Sequence, residues 1–129
     1  MPKQPKTQCP MDWLLRLLMG PWTTYILWVL RSQGPQRFGE LKRGVPGISA
    51  KVLTDRLRML EEARILHRHY EATIPPSVTY SLTTRGEELR EILDRLAEVA
   101  QRWRAADKTA AEAGAEAVGQ EPARRAVGR

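Results

Sequence analysis

Residues 37–66, RFGELKRGVPGISAKVLTDRLRMLEEARIL, hold two runs of helical apolar spacing separated by a Pro-Gly pair, an order that few local folds satisfy. Phe38, Leu41 and Val45 repeat at helical intervals and predict a short supporting helix. Pro46-Gly47 ends it, because proline fixes φ while glycine accepts the positive φ that tight reversals need. Ser49 stands as the N-cap of a second helix, on which Leu53, Leu57 and Leu60 fall in one sector at about 100° per residue. The opposite sector carries Lys51, Asp55, Arg58 and Glu62, with Thr54 on its flank. A short helix, a tight turn and a longer helix is the helix-turn-helix plan, in which the second helix lies in a DNA groove. Every amphipathic helix also has a solvated face, so this pattern alone leaves the groove and bulk water as equal candidates.

Charge distribution favours the groove. Residues 1–70 carry 12 Lys/Arg against 5 Asp/Glu, whereas residues 71–107 carry 5 against 7. The net charge of +6 therefore travels with the helix-turn-helix, as a surface for a polyanion would. The chain of 129 residues makes about one domain, and its single cysteine excludes an intrachain disulfide. Asp12 and Arg16 interrupt the apolar run that a signal peptide needs. The 14 uncharged residues from Leu17 to Leu30 are broken by Gly20-Pro21, and they fall short of the about 20 residues that span a bilayer. A cytoplasmic protein with no membrane partner is expected.

Taken in order, residues 1–8 read as a flexible arm. Cys9-Pro10 begins a helix with Trp13, Leu14, Leu17 and Leu18 on its apolar face, closed by Gly20. Pro21 opens the next, in which Trp22, Ile26, Val29 and Leu30 mark the most buried element. After the helix-turn-helix, Ile65–Tyr70 and Val78–Leu82 are rich in β-branched and aromatic residues and predict a hairpin. Its connection holds Pro75-Pro76, which donate nothing to a ladder. A hairpin directly after such a helix is a wing, whose Arg68 and loop are expected to follow the DNA backbone. Thr84 and Glu87 have capping-box spacing and announce a last helix with Leu89, Ile92, Leu93, Leu96, Val99, Ala100 and Trp103 in a stripe. Either the N-terminal helix covers that stripe or, as its length favours, part of it meets another chain. From Ala105 the composition turns to Ala, Glu, Gly and Arg with no apolar face, predicting a disordered or fraying tail whose Arg124, Arg125 and Arg129 are solvated.

The fold class expected is mostly α with a small β-hairpin wing: an arm at 1–8, a winged helix-turn-helix domain at 9–104 and a tail at 105–129. The DNA-facing set is Arg37, Lys42, Arg43, Ser49, Lys51, Thr54, Asp55, Arg58 and Arg68. His67 and His69 share a strand face but offer two donors where a zinc site wants four. Neither a metal nor a cofactor is expected. No GxSxG, P-loop, dinucleotide or HExxH motif occurs, and without a nucleophile-base pair an enzyme is not expected.

Cys9-Pro10, GPWTTYIL (20–27), RFGEL (37–41), PGIS (46–49), LTDRLRMLEE (53–62), Pro75-Pro76 and YSLTTRG (80–86), in this order, resemble the HxlR family of bacterial winged-helix regulators. The resemblance covers residues 9 to about 103. It implies a homodimer whose N- and C-terminal helices pair across a two-fold axis, here through Trp13, Leu17, Leu93, Leu96, Ala100 and Trp103. It also implies repression or activation of transcription at a palindromic DNA site, and a Cys9 that senses electrophiles or oxidants. Cys9 stands at a helix start with Lys3 and Lys6 upstream; this setting by itself favours an inert thiol over a reactive one, and the resemblance brings the two readings level. The sequence departs from the family in two places: Pro21 replaces the usual lysine of a GKW motif, and there is no second cysteine to resolve an oxidised Cys9. A winged-helix module for protein contact, without sequence-specific DNA binding, is the alternative reading.

Overall fold

The computed structural model describes residues 9–120, with side chains described through 116. The arm at 1–8, and the final residues with Arg124, Arg125 and Arg129, lie outside the described residues.

Cys9 is the extended N-cap of α1 (Pro10–Leu18), and Pro10 sits in the first turn, where its missing N–H leaves no intrahelical bond unmade. The helix ends with Met19 as its C-cap, earlier than Gly20 suggests. The next helix, α2 (Thr23–Gln33), starts after Pro21 rather than on it, because Trp22 takes a left-handed conformation at φ 72° and turns the chain first. Ile26, Leu27, Val29 and Leu30 of α2 are buried and form the centre of the core. A two-residue strand that periodicity cannot reveal, β1 (Gln36–Arg37), precedes α3 (Phe38–Gly44).

Leu41 and Val45 are fully buried, and the chain reverses through Pro46-Gly47 with Gly47 at φ 93°. A β-carbon there would also lie 3.4 Å from Cη2 of Trp22, so the turn needs glycine for its backbone and packs against the indole of Trp22. Ser49 then caps α4 (Ala50–Glu62), its hydroxyl oxygen accepting from the Val52 N–H at 3.1 Å. Leu53, Leu57 and Leu60 are buried as their spacing predicts. Each such side chain contributes about 1.5–3 kcal/mol when fully removed from water.

The strands β2 (Leu66–Glu71) and β3 (Ser77–Leu82) pair antiparallel from Leu66↔Leu82 to Glu71↔Ser77. β1 adds to the other edge of β3, giving the order β1-β3-β2. Only the base of β2 is buried, so the hairpin leaves the body as a wing. The structure is thus mostly helical with a small antiparallel sheet.

The cap expected at Thr84 lies one residue earlier. Thr83 accepts from the Gly86 N–H and donates to the Arg64 and Ile65 carbonyls, which starts a one-turn α5 (Thr84–Glu87) separate from α6 (Arg90–Gln120). The helix α6 runs on through 105–120, where composition predicts a disordered or fraying segment. Alanine, the strongest helix former, recurs through that segment, and local propensity supplies what an apolar face does not. The chain divides into two compact units between Leu93 and Asp94, ahead of the boundary at 104 that composition suggests. Among the described residues, no helix is long and apolar enough to cross a membrane.

Candidate nucleic-acid interface

The exposed side of α4 follows from the leucines that bury its other side. With Leu53, Leu57 and Leu60 inside, Lys51, Asp55, Arg58 and Glu62 are turned to solvent. Lys51 Nζ lies 3.1 Å from Asp55 Oδ2, an exposed i,i+4 pair that contributes little to stability and orders both side chains along the helix. Arg58 has no hydrogen-bond or ion-pair partner among the described residues, so its five N–H donors are available. The Thr54 hydroxyl donates to the Ala50 carbonyl at 2.8 Å, which leaves it acceptor capacity only. Ser49 is similarly engaged as an acceptor at the cap and keeps its proton for an outside group.

Arg56, which the sequence reading left without a role, ties the helix to the scaffold. Its Nε donates to the Pro21 carbonyl at 2.9 Å, across from α4 to the chain entering α2. A backbone carbonyl serves whatever side chain stands at 21, so the proline there leaves this tie intact.

The remaining cations divide between surfaces. Lys42 and Arg43 are exposed in the last turn of α3, where they also complement the helix dipole. Arg37 caps α3, and its N–H donates to Glu40 Oε1 at 2.8 Å. In the sheet Arg37 lies opposite Thr79, itself opposite His69, while Arg68 lies opposite Tyr80. Neighbouring positions along a strand point to opposite faces, so Arg37 and Arg68 are on opposite sides of the sheet and do not form one cluster. The rings of His67 and His69 are 6.1 Å apart. Among the described residues, no group of three or more metal-ligating side chains occurs.

The residues expected to meet a second chain also divide. Leu17 and Leu93 are 3% and 5% exposed and belong to the chain's own core. Trp13 is half-buried under the Arg85 guanidinium, 5.4 Å from the ring centroid. Leu96, Ala100 and Trp103 remain exposed, joined by Ile92. Met11 and Leu15 of α1 and its C-cap Met19, spaced i, i+4 and i+8, are exposed as well. Their signal in the sequence was a first helix apolar almost all the way round, the pattern of an element covered on more than one side.

Residues 17–108 match the model of a family described as HxlR-like helix-turn-helix. The chain is 36% identical over 89 residues to the uncharacterized HTH-type transcriptional regulator YdzF of Bacillus subtilis, covering 69% of this chain and 82% of that one. It is 38% identical over 91 residues to YtfH of Escherichia coli, likewise an uncharacterized HTH-type transcriptional regulator, covering 70% and 71%. Among solved structures, reduced HypR, described as a redox regulator, superposes with a TM-score of 0.67 at 34% identity, covering 78% of this chain and 99% of that one. The reduced form of YodB, a transcriptional regulator from B. subtilis, gives 0.64 at 34% identity, covering 74% and 94%.

Proposed function

Because this chain belongs to the HxlR-like helix-turn-helix family and is a winged-helix transcriptional regulator, we propose that it acts as a homodimer on a palindromic operator in double-stranded DNA, with α4 of each protomer in a major groove. The observation that carries this reading is the division of α4 into a buried leucine face and an outward face on which Arg58 has its donors unspent. Arginine matches the paired acceptors of guanine in the major groove. Lys51, already paired with Asp55, suits a phosphate. Arg37, Lys42, Arg43 and Arg68 would add backbone contacts from the elements on either side.

Selection of bound sequences from random duplexes, followed by titration of variants, tests this reading. Arg58→Ala is expected to cost about 1–3 kcal/mol and to relax preference at one base position. Lys51→Ala is expected to lower affinity uniformly and to make the salt slope shallower by about one. Selection that returns no consensus, with weak binding at physiological salt, would support the protein-contact module instead.

Cys9 adds a redox input to the proposal. It is exposed and caps α1, a helix whose outer apolar residues are available to a second chain. With no second cysteine in the chain, an oxidised Cys9 has two routes. It can bridge to its symmetry mate if the two Cα atoms come within about 7 Å, or it can form a mixed disulfide with a small thiol. Diamide is expected to change operator affinity of the parent and to leave Cys9→Ser unchanged; equal responses would make Cys9 structural. The chemistry admits a small electrophile as inducer by alkylation of the same sulfur.

A further inference from the structure

We propose that the cleft between the outer side of α2 and the end of α3 is an effector site for a neutral sugar. The site stands apart from Cys9 and from the DNA-binding reading above; only its effect on operator affinity rests on that reading.

Helix α2 buries Ile26, Leu27, Val29 and Leu30, so a polar outer stripe would be ordinary. Two aromatic side chains stand there instead, Tyr25 at 44% exposure and Trp28 half-buried, one turn apart. With Ser32 and Gln33 of α2, Gln36 of β1 and Gly44 of α3 they line a cleft of about 380 Å³. A β-carbon on Gly44 would stand 3.3 Å from Cγ1 of Val29, so glycine lets α3 approach α2 at the floor of the cleft.

The lining selects the ligand. Among the described residues that form it, none is charged at neutral pH, so an ionised ligand would lose hydration and gain no ion pair. A purely apolar ligand is no better served, because hydrogen-bonding groups surround the space. The Tyr25 hydroxyl, the Trp28 indole N–H and the Gln33 amide have no partner among the described residues. The Gln36 amide donates one N–H to the Pro35 carbonyl at 3.0 Å, which leaves its second N–H and its oxygen. The Ser32 hydroxyl donates to the Trp28 carbonyl at 2.8 Å and keeps acceptor capacity.

Both conditions are met by a pyranose. Its C–H groups form an uncharged face that lies against the negative face of an aromatic ring. Its hydroxyls each donate and accept, as the planar amides of Gln33 and Gln36 do. A nucleobase is best held between two facing rings, whereas Tyr25 and Trp28 stand side by side on one helix and present a single wall. The size agrees as well: a cavity of about 150 Å³ holds benzene, so about 380 Å³ accommodates one pyranose with part of a second ring toward the open side.

The cleft also touches the elements that present cations. Gln36 immediately precedes Arg37, and Gly44 follows Lys42 and Arg43, three of the residues proposed above to meet the DNA backbone. A sugar held between α2 and these two points bears on the setting of all three. By linkage, it changes operator affinity by the same factor by which the operator changes its own.

The experiment titrates the full-length protein with cellobiose, maltose and glucose by calorimetry, with glucuronate and adenosine as comparisons. One of the disaccharides is expected to bind with a Kd of about 1 mM or tighter, and glucuronate more weakly than glucose. Tyr25→Ala is expected to weaken that binding about tenfold and Gln33→Ala about fivefold. Both side chains are exposed, so both variants should melt as the parent does. No binding of any of the three sugars at tens of millimolar would overturn the proposal, as would tighter binding of glucuronate or adenosine, or parental sugar affinity in both variants. The saturating disaccharide is expected to shift the Kd for the selected operator about fivefold or more. An unchanged operator Kd would overturn the effector role. Failure of the parent to bind any selected duplex would instead remove the DNA reading and leave the sugar titration as the measure of the site.

Discussion

Trp103→Glu is expected to give monomers at micromolar concentration and to abolish operator binding in the same step. Ile92, Leu96, Val99 and Trp103 follow i, i+4, i+7 and i+11 on α6, with Ile92, Leu96 and Trp103 exposed by 48%, 55% and 67%. An apolar row of this kind, with an aromatic residue at one end, is the composition of an interface core, and a charge placed at that end stays unpaired when the surfaces close. Two half-sites bound by one dimer gain about 10²–10⁴ over either alone, and a monomer forfeits that gain. Sedimentation and operator titration on the same sample measure both effects. Gln101→Glu adds the same charge on the opposite side of the helix and is expected to leave both intact. A monomeric parent, or a Trp103→Glu dimer that still binds, would remove the end helices from the interface.

Gly86→Ala is expected to cost about 2–3 kcal/mol of folding stability. Gly86 is buried in α5, and a β-carbon there would collide with the Ile65 carbonyl oxygen and approach Leu82 Cδ2 to 3.2 Å. That carbonyl is already held by the Thr83 N–H at 3.0 Å and by the Thr83 hydroxyl at 3.1 Å, and Ile65 itself is 2% exposed. Neither backbone can retreat without breaking the junction of the wing with α5. For a domain of about 100 residues the loss lowers the melting temperature by about 10–20 °C, measurable by circular dichroism. Gly114→Ala supplies the contrast. It lies in α6 with nothing within 4 Å of its β-carbon position and is expected to gain about 0.5–1 kcal/mol of local helix stability. Equal melting of parent and Gly86→Ala would show that the junction yields more easily than its bonds suggest.

Periodicity determined the elements whose stability is local or whose burial has a regular spacing. The leucines of α4 and the turn at Pro46-Gly47 belong to this class, as do the cap at Ser49 and the hairpin with prolines at its tip, because each is specified by residues adjacent in the chain. The order of those motifs likewise carried the family, and the outward face of α4 was legible because the inward face was. Tertiary structure alone decided the matters that depend on residues distant in sequence. Leu17 and Leu93 turn inward, leaving Met11, Leu15, Met19 and Ile92 outside. The strand at Gln36–Arg37 exists because β3 offers it an edge, and that same register separates Arg37 from Arg68. Thr83 displaced Thr84 as the cap because the carbonyls of Arg64 and Ile65, 19 and 18 residues earlier, accept its proton. The sequence by itself thus determined which surfaces are apolar and which charged; which of two apolar faces is spent inside the chain was settled only by long-range packing, since spacing fixes a direction around a helix but not what lies in that direction.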